Sequence, residues 1–177
     1  MTTPRTGIKM FPELCESYAS GLCYAERGFD LMGGHCMSWD VMVFDFGPSP
    51  KPMSQMTEEH DRPLPLGTPD EVRAKISEHL PHVDWSDPAW GVYVGDGFSL
   101  EFSMRDEPQK LGFMIHVRGG GDPITDLLRF AVPNRWSLLD CSTSEWIDPA
   151  NPSHAGWQGF QAFQDRTLRQ LEEDRGS

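Results

Sequence analysis

The 177 residues carry 27 Asp and Glu against 15 Lys and Arg, a formal net charge of -12. Such a surface repels nucleic-acid phosphates and anionic membranes, so neither is an expected partner, and it steers a basic protein inward. With 38% apolar and 11% aromatic residues, the chain can build an ordinary core without a disulfide or metal staple, which suits one main domain.

Residues 1–36 read as an N-terminal extension interrupted by Pro4, Gly7, Pro12, Gly21, Gly28, Gly33 and Gly34. Leu14, Tyr18 and Leu22 recur at spacing four, so a short helix over Glu13–Arg27 is expected, weakened by Gly21. Three of the four cysteines, Cys15, Cys23 and Cys36, fall here, and Cys141 lies far away. No CxxC pair or zinc spacing occurs, so the reading is free thiols, no metal and no cofactor. No apolar run approaches the roughly 18 residues of a membrane span, and no charged segment precedes an apolar stretch as in a secretory signal. The expected location is therefore cytoplasmic.

A single domain over 37–177 opens with Ser38–Phe46, a Val-, Trp- and Phe-rich strand apolar on both faces except for Asp40 and Asp45, and so central in its sheet. A proline-rich connection follows. Thr68-Pro69-Asp70-Glu71 combines a cap, a first-turn proline and a capping box, with Val72, Ile76 and Leu80 on one helix face before Pro81. Trp90–Val94, the turn Gly95-Asp96-Gly97 and the alternating Phe98, Leu100, Phe102 and Met104 make a hairpin. Leu111, Phe113, Ile115 and Val117 form the next strand. Asp122 and Pro123 open a helix buried through Ile124, Leu127, Leu128 and Ala131. Trp136–Cys141 and Glu145–Ile147 pair across a short turn. Trp157–Leu171 closes as a helix offering Phe160, Phe163, Leu168 and Leu171 to the core. Strands in meanders with helices between them predict an α+β fold, a mainly antiparallel sheet packed by helices in a ferredoxin-like variant.

No catalytic residues are assigned. The carboxylates Asp40, Asp45, Glu101, Asp140, Glu145 and Asp148 lie on or beside strands, but sequence shows no separation between them. Ser142–Ser144 sit in a turn and not in a GxSxG elbow, and Cys141 reads as a small buried hydrophobe. Two regions bear on binding. The turn Arg118-Gly119-Gly120-Gly121-Asp122, with His116 on the strand before it, offers backbone N–H groups and a helix N-terminus to an anionic ligand; the alternative is a plain tight turn. Trp85, Trp90 and Trp146, with Asp148 nearby, are aromatics beside carboxylates, as on a partner-binding face.

Met37-Ser38-Trp39-Asp40-Val41, Phe98-Ser99-Leu100-Glu101-Phe102, Trp136–Ser142, Trp146-Ile147-Asp148-Pro149 and Gly156-Trp157 resemble a family of small, uncharacterised bacterial α+β proteins. The resemblance covers about four-fifths of the chain and implies no catalytic residues. Acidic single-domain proteins of this sort are similar to immunity proteins of bacterial toxin systems. The resulting expectation is a non-enzymatic acidic binding protein, an immunity protein neutralising a basic toxin domain. The alternative is a small-molecule or phosphate-ligand binder, or an enzyme, using the Arg118–Asp122 turn.

Overall fold

A computed structural model describes residues 38–47, 49–57, 60–104 and 107–175. The extension, the helix expected over Glu13–Arg27 and three of the cysteines lie outside the described residues. The described residues form seven strands: β1 (Trp39–Phe44), β2 (Asp84–Asp87), β3 (Trp90–Val94), β4 (Phe98–Ser103), β5 (Gly112–Gly119), β6 (Ser137–Asp140) and β7 (Glu145–Trp146). Three α-helices accompany them: α1 (Pro69–His79), α2 (Ile124–Ala131) and α3 (Ala155–Arg175).

The strands form one sheet in the order β2-β3-β4-β5-β1-β6-β7, and every neighbouring pair is antiparallel. This is the expected α+β architecture of an antiparallel sheet packed by helices. Its ferredoxin-like detail is not confirmed, since β1 sits between β5 and β6 and is antiparallel to both. The central place of β1 follows from its sequence: a strand apolar on both faces is stable only where both are covered.

Strand alternation divides the sheet into two unlike faces. Trp39, Val41 and Val43 of β1, Leu100 and Phe102 of β4, and Phe113, Ile115 and Val117 of β5 pack under the helices. There Val72 and Ile76 of α1 and Leu127 and Phe130 of α2 close the core. Burial of each such large side chain contributes about 1.5–3 kcal/mol. The opposite face holds a smaller cluster of Met42, Phe44, Met114 and Leu139, packed by Phe46, Met53 and Trp146. The segment after β1 is tied over it, since Ser137 Oγ donates to Gly47 O at 2.8 Å and Trp146 Nε1 to Lys51 O at 2.7 Å. Beside that cluster the same face becomes polar, where Glu101, His116 and Asp40 stand opposite one another across β4, β5 and β1.

Helix α1 begins where its capping box places it. Glu71 N–H donates to Thr68 Oγ1 and Thr68 N–H to Glu71 Oε2, with Pro69 in the first turn. The Thr68 hydrogen bonds hold the Glu71 carboxyl below its ordinary range. At α2, Pro123 rather than Asp122 occupies the cap position, and Asp122 Oδ1 accepts from Ile124 N–H at 3.1 Å.

Three features depart from the sequence expectations. Strand β2 was not foreseen; it forms one sheet edge, with a register irregularity against β3. Leu111 lies before β5 and is half-exposed. On α3, Phe163, Leu168 and Leu171 are 49%, 48% and 40% exposed rather than part of the core. Only the first turns of α3 lie against the sheet, through Trp157 and Phe160. The remainder of the helix runs beyond that contact, so its apolar side chains share a stripe without a described neighbour layer to cover them.

Candidate functional site

Trp39, the first residue of β1, anchors one end of the molecule. Its ring is buried in the main core and lies 5.7 Å from that of Trp157 on α3. Its Nε1 donates to Asp140 Oδ1 at 2.9 Å. The same carboxylate oxygen accepts from Ser142 N–H at 2.8 Å and from Ser142 Oγ at 2.6 Å. Asp140 is buried, and three donors satisfy the charge that burial would otherwise penalise.

Helix α3 approaches this carboxylate closely because Gly156 has no side chain. A Cβ there would fall 1.7 Å from Asp140 Oδ2. Trp157 stacks on Phe160, with ring centroids 5.3 Å apart, and its Nε1 donates to Gly121 O at 2.9 Å. Gln161 Nε2 donates to Gly120 O at 2.7 Å. Helix and sheet end are thus fastened together by hydrogen bonds as well as by packing.

Between them runs an open groove of about 610 Å³. Its sheet side is formed by Ser38, Trp39, Asp40, Cys141, Ser142 and Thr143. Its helix side is formed by Ala155, Gly156, Gly159, Phe160 and Phe163. Gly159 leaves a gap on that wall, since beyond its own stretch of helix no described atom lies within 4 Å of where its Cβ would be. Three segments distant in sequence, at Ser38–Asp40, Asp140–Thr143 and Gly156–Phe163, are brought to this one place.

Asp40 connects the groove to the polar row on the open sheet face. Its Oδ1 accepts from Ser38 Oγ at 2.7 Å and lies 2.8 Å from His116 Nδ1. An ionised carboxylate only accepts, so in this pair His116 is the donor, through Nδ1–H. His116 is 4% exposed, and Nε2 has no hydrogen-bond partner among the described residues. The imidazole lies almost parallel to the Trp90 ring, at 5.5 Å and 16°. One row further along, Arg118 Nε meets Glu101 Oε1 at 2.8 Å. Among the described residues no cluster of His, Cys, Asp and Glu is arranged to hold a metal ion.

The glycine-rich turn has a structural employment. Gly120 N–H and Gly121 N–H both donate to Gly97 O, at 2.7 and 3.1 Å. Those are the donors that an anion would need, so the cradle expected at Arg118, Gly119, Gly120, Gly121 and Asp122 is already filled by the β3–β4 turn. Gly119 has φ +98°, and a Cβ on it would lie 2.4 Å from Gly97 O. At Gly121 a Cβ would lie 2.0 Å from Asp96 O. Arg118 points to Glu101 and His116 to Asp40, so neither is directed at the turn's backbone donors.

The aromatics proposed as one partner face are dispersed. Trp85 lies on the helix side, against Phe102, with Nε1 donating to Ser77 Oγ at 3.0 Å. Trp90 covers His116 on the opposite side, and Trp146 lies near the far sheet edge against Phe44 and Phe46. Asp148 is exposed and caps the turn at Ala150 N–H. Sequence reasoning did not single out Ser38, Ser142, Gly159 or Phe163 as site residues. Gly156 and Gly159, three apart at a helix start, were the available signal for a bare wall. Compared with family models, curated proteins and solved structures, the chain matches none.

Proposed function

We propose that this protein is a non-enzymatic binding protein whose partner is a basic protein, engaged at the groove between α3 and the ends of β1 and β6. The immunity-type reading, in which the partner is a basic toxin domain, is the specific form of this proposal. The observation that carries it is the groove itself: an open, aromatic-walled trough set in a chain of net charge -12. Aromatic side chains in such a trough supply contact area, and the surrounding negative potential speeds encounter with a cation-rich surface. The exposed Phe163, Leu168 and Leu171 continue an apolar strip away from the groove, which extends the area a macromolecule would cover. The ligand-binding alternative at Arg118–Asp122 is less favoured, because its backbone donors are spent on Gly97 O.

The test is co-expression and calorimetry with the product of the gene adjacent to its own. A basic partner, nanomolar binding and association that slows steeply with salt are the expected results. Absence of binding to a basic neighbour product, or binding indifferent to salt, would refute the reading.

A further inference from the structure

We infer that the outer half of α3 is a seat for the chain's own N-terminal segment, docked through Leu14, Tyr18 and Leu22. The inference goes beyond the proposed partner and does not depend on it. Helix α3 runs for 21 residues, about 32 Å. Only its first turns lie against the sheet, through Trp157 and Phe160. A helix in a folded protein owes most of its stability to an apolar face packed on another element. Leu168 and Leu171 follow Trp157 by about three and four helical turns. The face that enters the core at Trp157 therefore continues outward as a strip, where Leu168 and Leu171 are exposed and Phe163 stands beside them, also exposed.

The point at which the chain enters β1 selects the occupant. Ser38 lines the same groove as Phe160 and Phe163. The described chain begins at Ser38, and residues 1–37 precede it. Those residues are thus joined to the fold at the mouth of the groove, beside the strip. Their sequence spacing matches it. Leu14 and Leu22 are as far apart in sequence as Phe163 and Leu171, about 12 Å of helix in each case. Tyr18 falls midway, and the spacing of four puts all three side chains on one helix face. The connection Gly28–Met37 reaches at most about 33 Å, enough to lay that face along the strip in either direction. A segment tethered so near has an effective concentration in the millimolar range, so a modest apolar contact is sufficient to hold it. A second copy is the poorer occupant, since it brings together two surfaces of net charge -12 without a tether.

The test is amide hydrogen exchange, read by mass spectrometry on the full-length protein. Peptides covering residues 13–27 should exchange at least about tenfold more slowly in the protein than in a free synthetic peptide of the same sequence. Phe163→Glu combined with Leu171→Glu puts charge at two exposed positions. That variant should keep the protection of β1 and β5 and return residues 13–27 to the free-peptide rate. The reciprocal variant, Leu14→Glu with Leu22→Glu, should speed exchange in the outer turns of α3 by a comparable factor. Phe163→Leu with Leu171→Met keeps the strip apolar and should keep the protection. If the charged α3 variant loses its core as well, the wild-type rate and the reciprocal variant decide the matter. Free-peptide exchange of residues 13–27 in the wild type would overturn the inference, as would protection that survives both charged variants. Protection that fades on dilution would also overturn it and assign the strip to a second copy. The two proposals fail separately. Free-peptide exchange leaves a basic partner in the groove untouched, and the lack of any basic partner leaves the docked segment standing.

Discussion

Replacing Gly156 by Ala tests how α3 is seated. A helical Gly→Ala change ordinarily stabilises by about 0.5–1 kcal/mol, because glycine loses more backbone freedom on folding. Here the added Cβ would lie 1.7 Å from Asp140 Oδ2, 2.6 Å from Asp140 Cγ and 2.7 Å from Ser142 Oγ. The carboxylate cannot simply swing away, since Trp39 Nε1, Ser142 N–H and Ser142 Oγ all hold its other oxygen. Either those bonds are broken or the first turn of α3 lifts from the sheet by more than an ångström. Overpacking and disturbed hydrogen bonds to a buried charge together cost about 2–4 kcal/mol. After the backbone gain, the net loss is about 1–3 kcal/mol, or roughly 3–10 °C in Tm. The internal control is Gly159→Ala, on the same helix, where beyond its own stretch of helix no described atom lies within 4 Å of the new Cβ; it should gain up to about 1 kcal/mol. Thermal and urea unfolding measure both. If Gly156→Ala is as stable as Gly159→Ala, the close seating of α3 on Asp140 is wrong.

Two further perturbations address the anchor and the capping box. Trp39→Phe keeps the ring in the core but removes the Nε1 donor to Asp140; it should cost about 1–3 kcal/mol in denaturant unfolding, and an unchanged midpoint would remove Asp140 from the anchoring role. Glu71 has a depressed carboxyl pKa in the folded state because Thr68 hydrogen-bonds its charged form, so its stabilisation is present above the unfolded pKa and is lost as pH falls through the folded one; the stability gap between wild type and Glu71→Gln should close across that acidic range, and a gap that persists at the lowest pH would contradict the linkage.

The legibility of this chain in its sequence follows the range of the interactions concerned. The alternation from Phe98 to Ser103 and from Phe113 to Val117 reads directly as strand, because side-chain direction has period two. Thr68 to Glu71 reads as a helix start because all four residues of the box are adjacent. Strand β2 escaped because Asp84, Ser86 and Asp87 surround its single aromatic, leaving no apolar rhythm. Periodicity on α3 shows that Phe160, Phe163 and Leu171 belong to related helix faces, but it carries no information on what lies opposite. The groove was hidden for the same reason, since the Trp39–Asp140 bond that shapes it joins residues 101 apart. At the glycine turn, the sequence displays the donors of Gly120 and Gly121, while their acceptor, Gly97 O, comes from another hairpin.

The two outer strands limit how any protein can attach to this sheet. β7 is two residues long. On β2, Asp84 Oδ1 takes the Ser86 N–H at 2.8 Å, and Asp87 Oδ1 takes the Ala89 N–H at 2.9 Å just before β3. The Ser86 N–H on that border is thus taken by the strand's own carboxylate, and Pro88 just beyond the strand offers no donor. Outer strands of four and two residues give a visiting chain little ladder to prolong, which discourages self-association into stacked sheets and shifts recognition toward side chains.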